Sequence, residues 1–77
     1  MGRVEGELQV TVGRRVRRLR LERGISQEAL ARDVDMHRTY LGGVERGERN
    51  LTLRSVERLA DRLGVPVREL IGEAPEG

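Results

Sequence analysis

SQEALARDVDMHRTYLGGVERG, residues 26–47, reads as two short helices joined by a tight turn. Ser26 is a favoured N-cap, and Glu28 puts negative charge in the first turn behind it, where the helix dipole favours an anion. Leu30, Ala31 and Val34 recur at helical spacing and give one apolar face. Asp35 follows, a residue that tolerates the left-handed conformation a tight turn needs. Met36 fits as a plug into the core. From His37 the chain is helical again, with Leu41 and Val44 pointing inward and Gly47 placed as a stop. The outward positions between those anchors are Arg38, Thr39, Tyr40, Gly42, Gly43 and Arg46. That face carries hydrogen-bonding groups and little bulk, which is what a helix needs to enter a groove.

On either side the same signals recur. Thr11 is a plausible N-cap for a first helix over residues 12–23, with Val12, Val16 and Leu19 on one face and Gly24 closing it. Downstream, Thr52 can cap a fourth helix whose apolar stripe is Leu53, Val56, Leu59, Ala60 and Leu63, with Gly64 ending it. Pro66 suits the start of a fifth helix, residues 66–71. Residues 1–11 behave differently: Val4, Leu8 and Val10 alternate with polar residues at period two. Two readings fit, an extended N-terminal arm that pairs with its copy in a dimer, or a frayed terminus. Residues 72–77 hold two glycines, a proline and two glutamates, with nothing to bury, and are expected to be a disordered tail. The fold class is all-α, five short helices around one core, in a single domain spanning residues 12–71.

Composition narrows the function. A chain of 77 residues has a thin core. Such a core rarely secures more than about 3–5 kcal/mol, so oligomerisation is a natural supplement. There is no cysteine, hence no disulfide frame and no thiolate metal site. No apolar run approaches the roughly 20 residues of a membrane span and no signal-peptide pattern opens the chain, so no membrane partner is expected and a cytoplasmic location is. Tyr40 is the one aromatic residue, which argues against a stacking platform for single strands. Net charge is only +2, but residues 12–32 hold seven arginines against Glu22 and Glu28. That basic stripe is either a phosphate-facing side or a solvated helix face.

Several spaced elements carry a family resemblance: Arg20, SQEALA at 26–31, YLGGVERG at 40–47 and LGV at 63–65. Together they resemble the lambda-repressor-like, or Xre-family, helix-turn-helix regulators over residues 12–70. Within that family HRTYLGGVERGERNLTL is similar to the controller proteins of restriction–modification systems. The resemblance implies a sequence-specific regulator of transcription, a homodimer on a pseudo-palindromic operator in double-stranded DNA, with pairs of dimers on adjacent sites forming a tetramer. It also implies first activation and then repression of the protein's own promoter. RNA polymerase is a candidate further partner, with the surface near Asp35 or Glu28 conceivable for it but not located by any residue pattern.

Site residues follow from the same resemblance. Arg38 and Thr39 occupy the first turn of the recognition helix, where the family reads bases. An arginine there can donate two hydrogen bonds to guanine, and a threonine can bond a base or pack on a thymine methyl. Gln27 opens the second helix, where the family clamps phosphate. Tyr40, Arg46, Arg49 and Asn50 are expected phosphate or base contacts. His37 stands where the family has a serine or aspartate cap, so it caps weakly or meets phosphate; no second ligand is spaced to make it a metal site. Gly43 lies on the same face and has no side chain with which to read a base. Two successive glycines each cost a helix about 1 kcal/mol relative to alanine. Either larger side chains would collide with DNA or a neighbouring helix, or the helix frays early. Arg20 is expected to pair with Glu45 as a structural ion pair. Leu53, Val65, Val67 and Ile71 are the expected dimer interface.

Two other classes of protein compete with this reading. A small repressor of antitoxin type, whose partner is also a protein, fits the motif but leaves almost no residues to wrap a toxin. An enzyme, with a cofactor or without, finds no support: the chain has one histidine, no cysteine and no nucleophile–base pair.

Overall fold

Leu8, Val12, Val16 and Leu19 fall three or four residues apart, and this continuous stripe starts the first helix earlier than Thr11 suggests. The computed structural model describes residues 7–72. Its helices are α1 (Glu7–Glu22), α2 (Gln27–Asp33), α3 (Arg38–Glu45), α4 (Leu53–Leu63) and α5 (Arg68–Ile71), with no strand among the described residues. The expected arm is thereby corrected. Residues 7–11 belong to α1 and Thr11 lies inside it rather than capping it. Residues 1–6, with Val4, and residues 73–77 of the expected tail lie outside the described residues. The fifth helix is also shorter than expected, with Pro66 and Val67 in the turn ahead of Arg68.

The capping chemistry is local and takes the expected form. Ser26 Oγ accepts from the Ala29 N–H at 3.0 Å, and Thr52 Oγ1 accepts from the Ser55 N–H at 3.1 Å. Asp35 has φ 59°, the left-handed turn residue between α2 and α3. Gly47, at φ 77°, turns the chain off the end of α3. Leu30, Leu41, Leu59, Leu63, Leu70, Val16 and Val44 are fully buried, so every helix contributes to one core. Met36 packs against that core half-buried.

α1 spans the molecule and packs against both α3 and α5. At one end Gln9 Nε2 donates to the Gly47 carbonyl at 2.5 Å, and Val10 lies against Gly47 itself. In its middle Arg15 Nη1 donates to the Gly72 carbonyl at 2.8 Å and the Glu69 carbonyl at 3.3 Å, tying down the end of α5. The closest approach is at Gly13. A Cβ built there would stand 2.0 Å from the Val44 carbonyl oxygen and 3.1 Å from that of Glu45. Both are α3 backbone, which cannot swing aside.

Alanine for glycine in an open helix gains about 1 kcal/mol. At Gly13 the sign reverses: Gly13→Ala is expected to lower the unfolding free energy by about 1–3 kcal/mol, the usual cost of overpacking. Urea denaturation followed by circular dichroism measures it.

Candidate nucleic-acid interface

A buried ion pair anchors the far end of α3. Arg20 Nε donates to Glu45 Oε2 at 2.7 Å and Arg20 Nη2 to Glu45 Oε1 at 3.0 Å. Both side chains are almost out of solvent, at 9% and 3% exposure. Charges so placed lose their hydration and need every polar atom occupied. Arg20 Nη1 donates to the Ile25 carbonyl at 2.9 Å, and Gln27 Nε2 donates to Glu45 Oε1 at 3.1 Å. Among the described residues no buried side-chain nitrogen or oxygen lacks a partner. The hydrogen bonds to Glu45 hold the Arg20 guanidinium above its ordinary pKa, against the burial that would lower it.

The near end of α3 is open. His37 is the exposed N-cap residue, in extended conformation, and its side chain makes no capping bond. Arg38 and Thr39 follow in the first turn, both exposed. Tyr40 is half-buried, and its hydroxyl donates to the Asn50 carbonyl, drawing the loop after α3 back along the helix. The Arg49 guanidinium carbon lies 5.9 Å from the Tyr40 ring centroid, within cation–π range. Arg46 Nε pairs with Glu48 Oε1 at 3.2 Å on the surface. Gln27 is half-buried at the start of α2, its amide aimed by Glu45.

The glycine pair departs from the expected outward face. Gly42 and Gly43 are buried, and α3 runs on through them to Glu45. The molecule's own side chains cover them. A Cβ at Gly42 would meet Arg46 Nη1 at 3.3 Å and Gln27 Oε1 at 3.5 Å, and one at Gly43 would meet Arg49 Cγ at 2.8 Å. Arg38, Thr39, Tyr40, Arg46, Arg49 and Asn50 thus share α3 and its following loop, joined by Gln27 from α2.

Of the seven arginines in the basic stripe, Arg14, Arg17, Arg18, Arg23 and Arg32 are exposed. Arg15 and Arg20 are committed to α5 carbonyls and Glu45. The expected dimer residues divide similarly. Leu53 is 61% exposed, whereas Val65, Val67 and Ile71 are half-buried against the core. Leu53 and Ile71 border an apolar groove with Leu8, Val12, Leu51 and Val56. Gln9, Gly13 and Arg15, which brace the end of α3 and α5, carry no local signal that marks them; a glycine in mid-helix is the one clue.

Two helices joined at a left-handed Asp35, the second exposing arginine and threonine on its first turn, define a helix-turn-helix DNA-binding domain. The helix-turn-helix family model matches residues 16–70, and the chain belongs to that family of DNA-binding transcriptional regulators. It is 40% identical over 65 residues to control protein C.BamHI of Bacillus amyloliquefaciens, an alignment covering 83% of this chain and 80% of that one. The restriction–modification controller protein C.AhdI from Aeromonas hydrophila superposes with a TM-score of 0.77 at 47% identity, over 80% of this chain and 94% of that chain. Controller protein C.Esp1396I, solved as a tetramer with its natural 35 base-pair operator, superposes with a TM-score of 0.73 at 40% identity, over 80% of this chain and 82% of that chain.

Glu45→Ala strands the Arg20 guanidinium and is expected to cost about 3–5 kcal/mol of stability. The double change Arg20→Met, Glu45→Leu removes both charges and is expected to cost much less than the two single changes added together. A double-mutant cycle by chemical denaturation checks both statements.

Proposed function

We propose that this protein is a restriction–modification controller, a homodimeric regulator that reads a pseudo-palindromic operator. One recognition helix covers a few base pairs, so useful affinity requires two copies about 34 Å apart, one turn of DNA. Two dimers side by side then occupy adjacent operator sites, a reading supported by the similarity to C.Esp1396I, solved as a tetramer in complex with its natural 35 base-pair operator. The observation that carries the reading is the exposed Arg38–Thr39 pair at the tip of a helix whose other end is locked by Arg20 and Glu45. A side chain can discriminate bases only if its helix is held still against the groove.

The roles divide by position. Arg38 and Thr39 read base edges, while Arg46, Arg49, Tyr40 and Asn50 meet the backbone or flanking bases beside them. His37, at the helix start, lies against phosphate. Gln27 clamps phosphate through its second amide hydrogen, the first being held by Glu45. Leu53, standing clear of the core beside the apolar groove, leads the dimer surface with Val65, Val67 and Ile71.

An operator obtained by selection from a random duplex pool tests this directly. Arg38→Ala is expected to cost about 1–3 kcal/mol on that operator and to relax preference at the position it reads. Gln27→Ala removes an uncharged phosphate contact and is expected to weaken operator and random DNA alike while leaving the slope of the salt dependence unchanged. Fluorescence anisotropy on operator and random DNA separates the two, and equal losses on both DNAs from both changes count against this division.

A further inference from the structure

We propose that Gly43 governs DNA-sequence preference without touching DNA, as the positioning residue on which the Arg49 side chain rests. The inference builds on the reading of Arg49 as a DNA contact. Arg49 is exposed and stands in the loop after α3, where a long side chain would ordinarily sample many rotamers. Two contacts on α3, one turn apart, restrict it. Its aliphatic stem lies over the bare Cα of Gly43, with a would-be Cβ only 2.8 Å from Cγ, 3.4 Å from Nε and 3.6 Å from Cδ. Its guanidinium carbon then reaches the face of Tyr40. The loop is fastened at both places: the Glu48 N–H donates to the Gly43 carbonyl at 2.8 Å, and the Tyr40 hydroxyl donates to the Asn50 carbonyl. A cation is thus held beside the reading helix before DNA arrives, and a prearranged contact loses less rotamer entropy on binding.

The neighbouring glycine supplies the contrast. At Gly42 the nearest atom to a new Cβ is Arg46 Nη1 at 3.3 Å, the far end of a flexible side chain, which yields readily. At Gly43 the obstructing atom is Cγ, near the root of Arg49, so any larger residue must turn the whole side chain about χ1 or lift the loop. Both glycines lie in the same helix, so replacing either by alanine brings the same gain in helix propensity.

The experiment compares Gly42→Ala, Gly43→Ala, Arg49→Ala and the double change Gly43→Ala, Arg49→Ala, in which the clash is absent. Thermal melting is expected to show both glycine variants cooperatively folded, with Gly42→Ala at least as stable as the parent protein. Gly43→Ala is expected to weaken operator binding by about tenfold, the scale of one lost arginine contact. It should also alter the sequences selected from a random pool, with Gly42→Ala losing much less. The double variant should bind no more weakly than Arg49→Ala alone. Parental operator affinity in Arg49→Ala would remove Arg49 from the interface and the proposal with it. If Arg49→Ala does weaken binding, then parental binding by Gly43→Ala, or full additivity of the two changes, overturns the seat while leaving the Arg49 contact in place.

Discussion

A guanidinium and a carboxylate that have left water together hold this molecule in register. Arg20 on α1 and Glu45 at the end of α3 meet through two parallel hydrogen bonds. The spare capacity of each is taken by the Ile25 carbonyl and the Gln27 amide. The arrangement therefore reaches α1, the loop before α2, α2 itself and α3. Its importance follows from length. An eight-residue helix has too few internal hydrogen bonds to persist alone, since isolated helices shorter than about 12–15 residues are marginal in water. α3 carries two glycines besides, so its order comes from what it packs against. Fixing it at the C-terminal end leaves the N-terminal tip, with Arg38 and Thr39, exposed.

Arginine does several jobs in this chain, and net charge blurs them. Arg20 is structural by burial, Arg15 by capping the end of α5, and Arg62 by pairing with Asp33 at 2.6 Å between α4 and the end of α2. What remains on the surface is a smaller set, of which Arg38, Arg46 and Arg49 stand on α3 or in the loop after it. The same economy shows at Gln27, which bonds Glu45 inside and keeps a hydrogen for the outside.

The parts of the fold that were readable from sequence are those that one residue decides for its own backbone. Ser26 and Thr52 cap helices, Asp35 turns left-handed and Gly47 stops α3 because each conformation is a local demand with a local signature. The start of α1 is masked in the sequence because Leu8 and Val10 alternate with polar neighbours, while the stripe from Leu8 to Val12 and Val16 shows only over a longer window. Gln9 on Gly47, Arg15 on Gly72 and Gly13 under Val44 join residues more than thirty positions apart. Pairings of that kind leave no trace in either partner's surroundings. At the site, the types and spacing of Arg38, Thr39 and Arg49 were apparent from the chain. The covering of Gly42 and Gly43 by side chains from elsewhere was not, since a glycine announces missing bulk but never what fills the space.

The notch at Gly13 also bears on transplanting specificity between regulators of this shape. With the α3 carbonyls of Val44 and Glu45 seated directly on α1, the reading helix rides closer to its support than any scaffold with a side chain there would allow. Grafting residues 38–50 onto a host that carries alanine or larger at the matching place would raise the whole helix and tilt its tip. The donor's base preferences would then fail to transfer even with every DNA-facing residue copied, so the unit to exchange is the helix together with the surface it lies on.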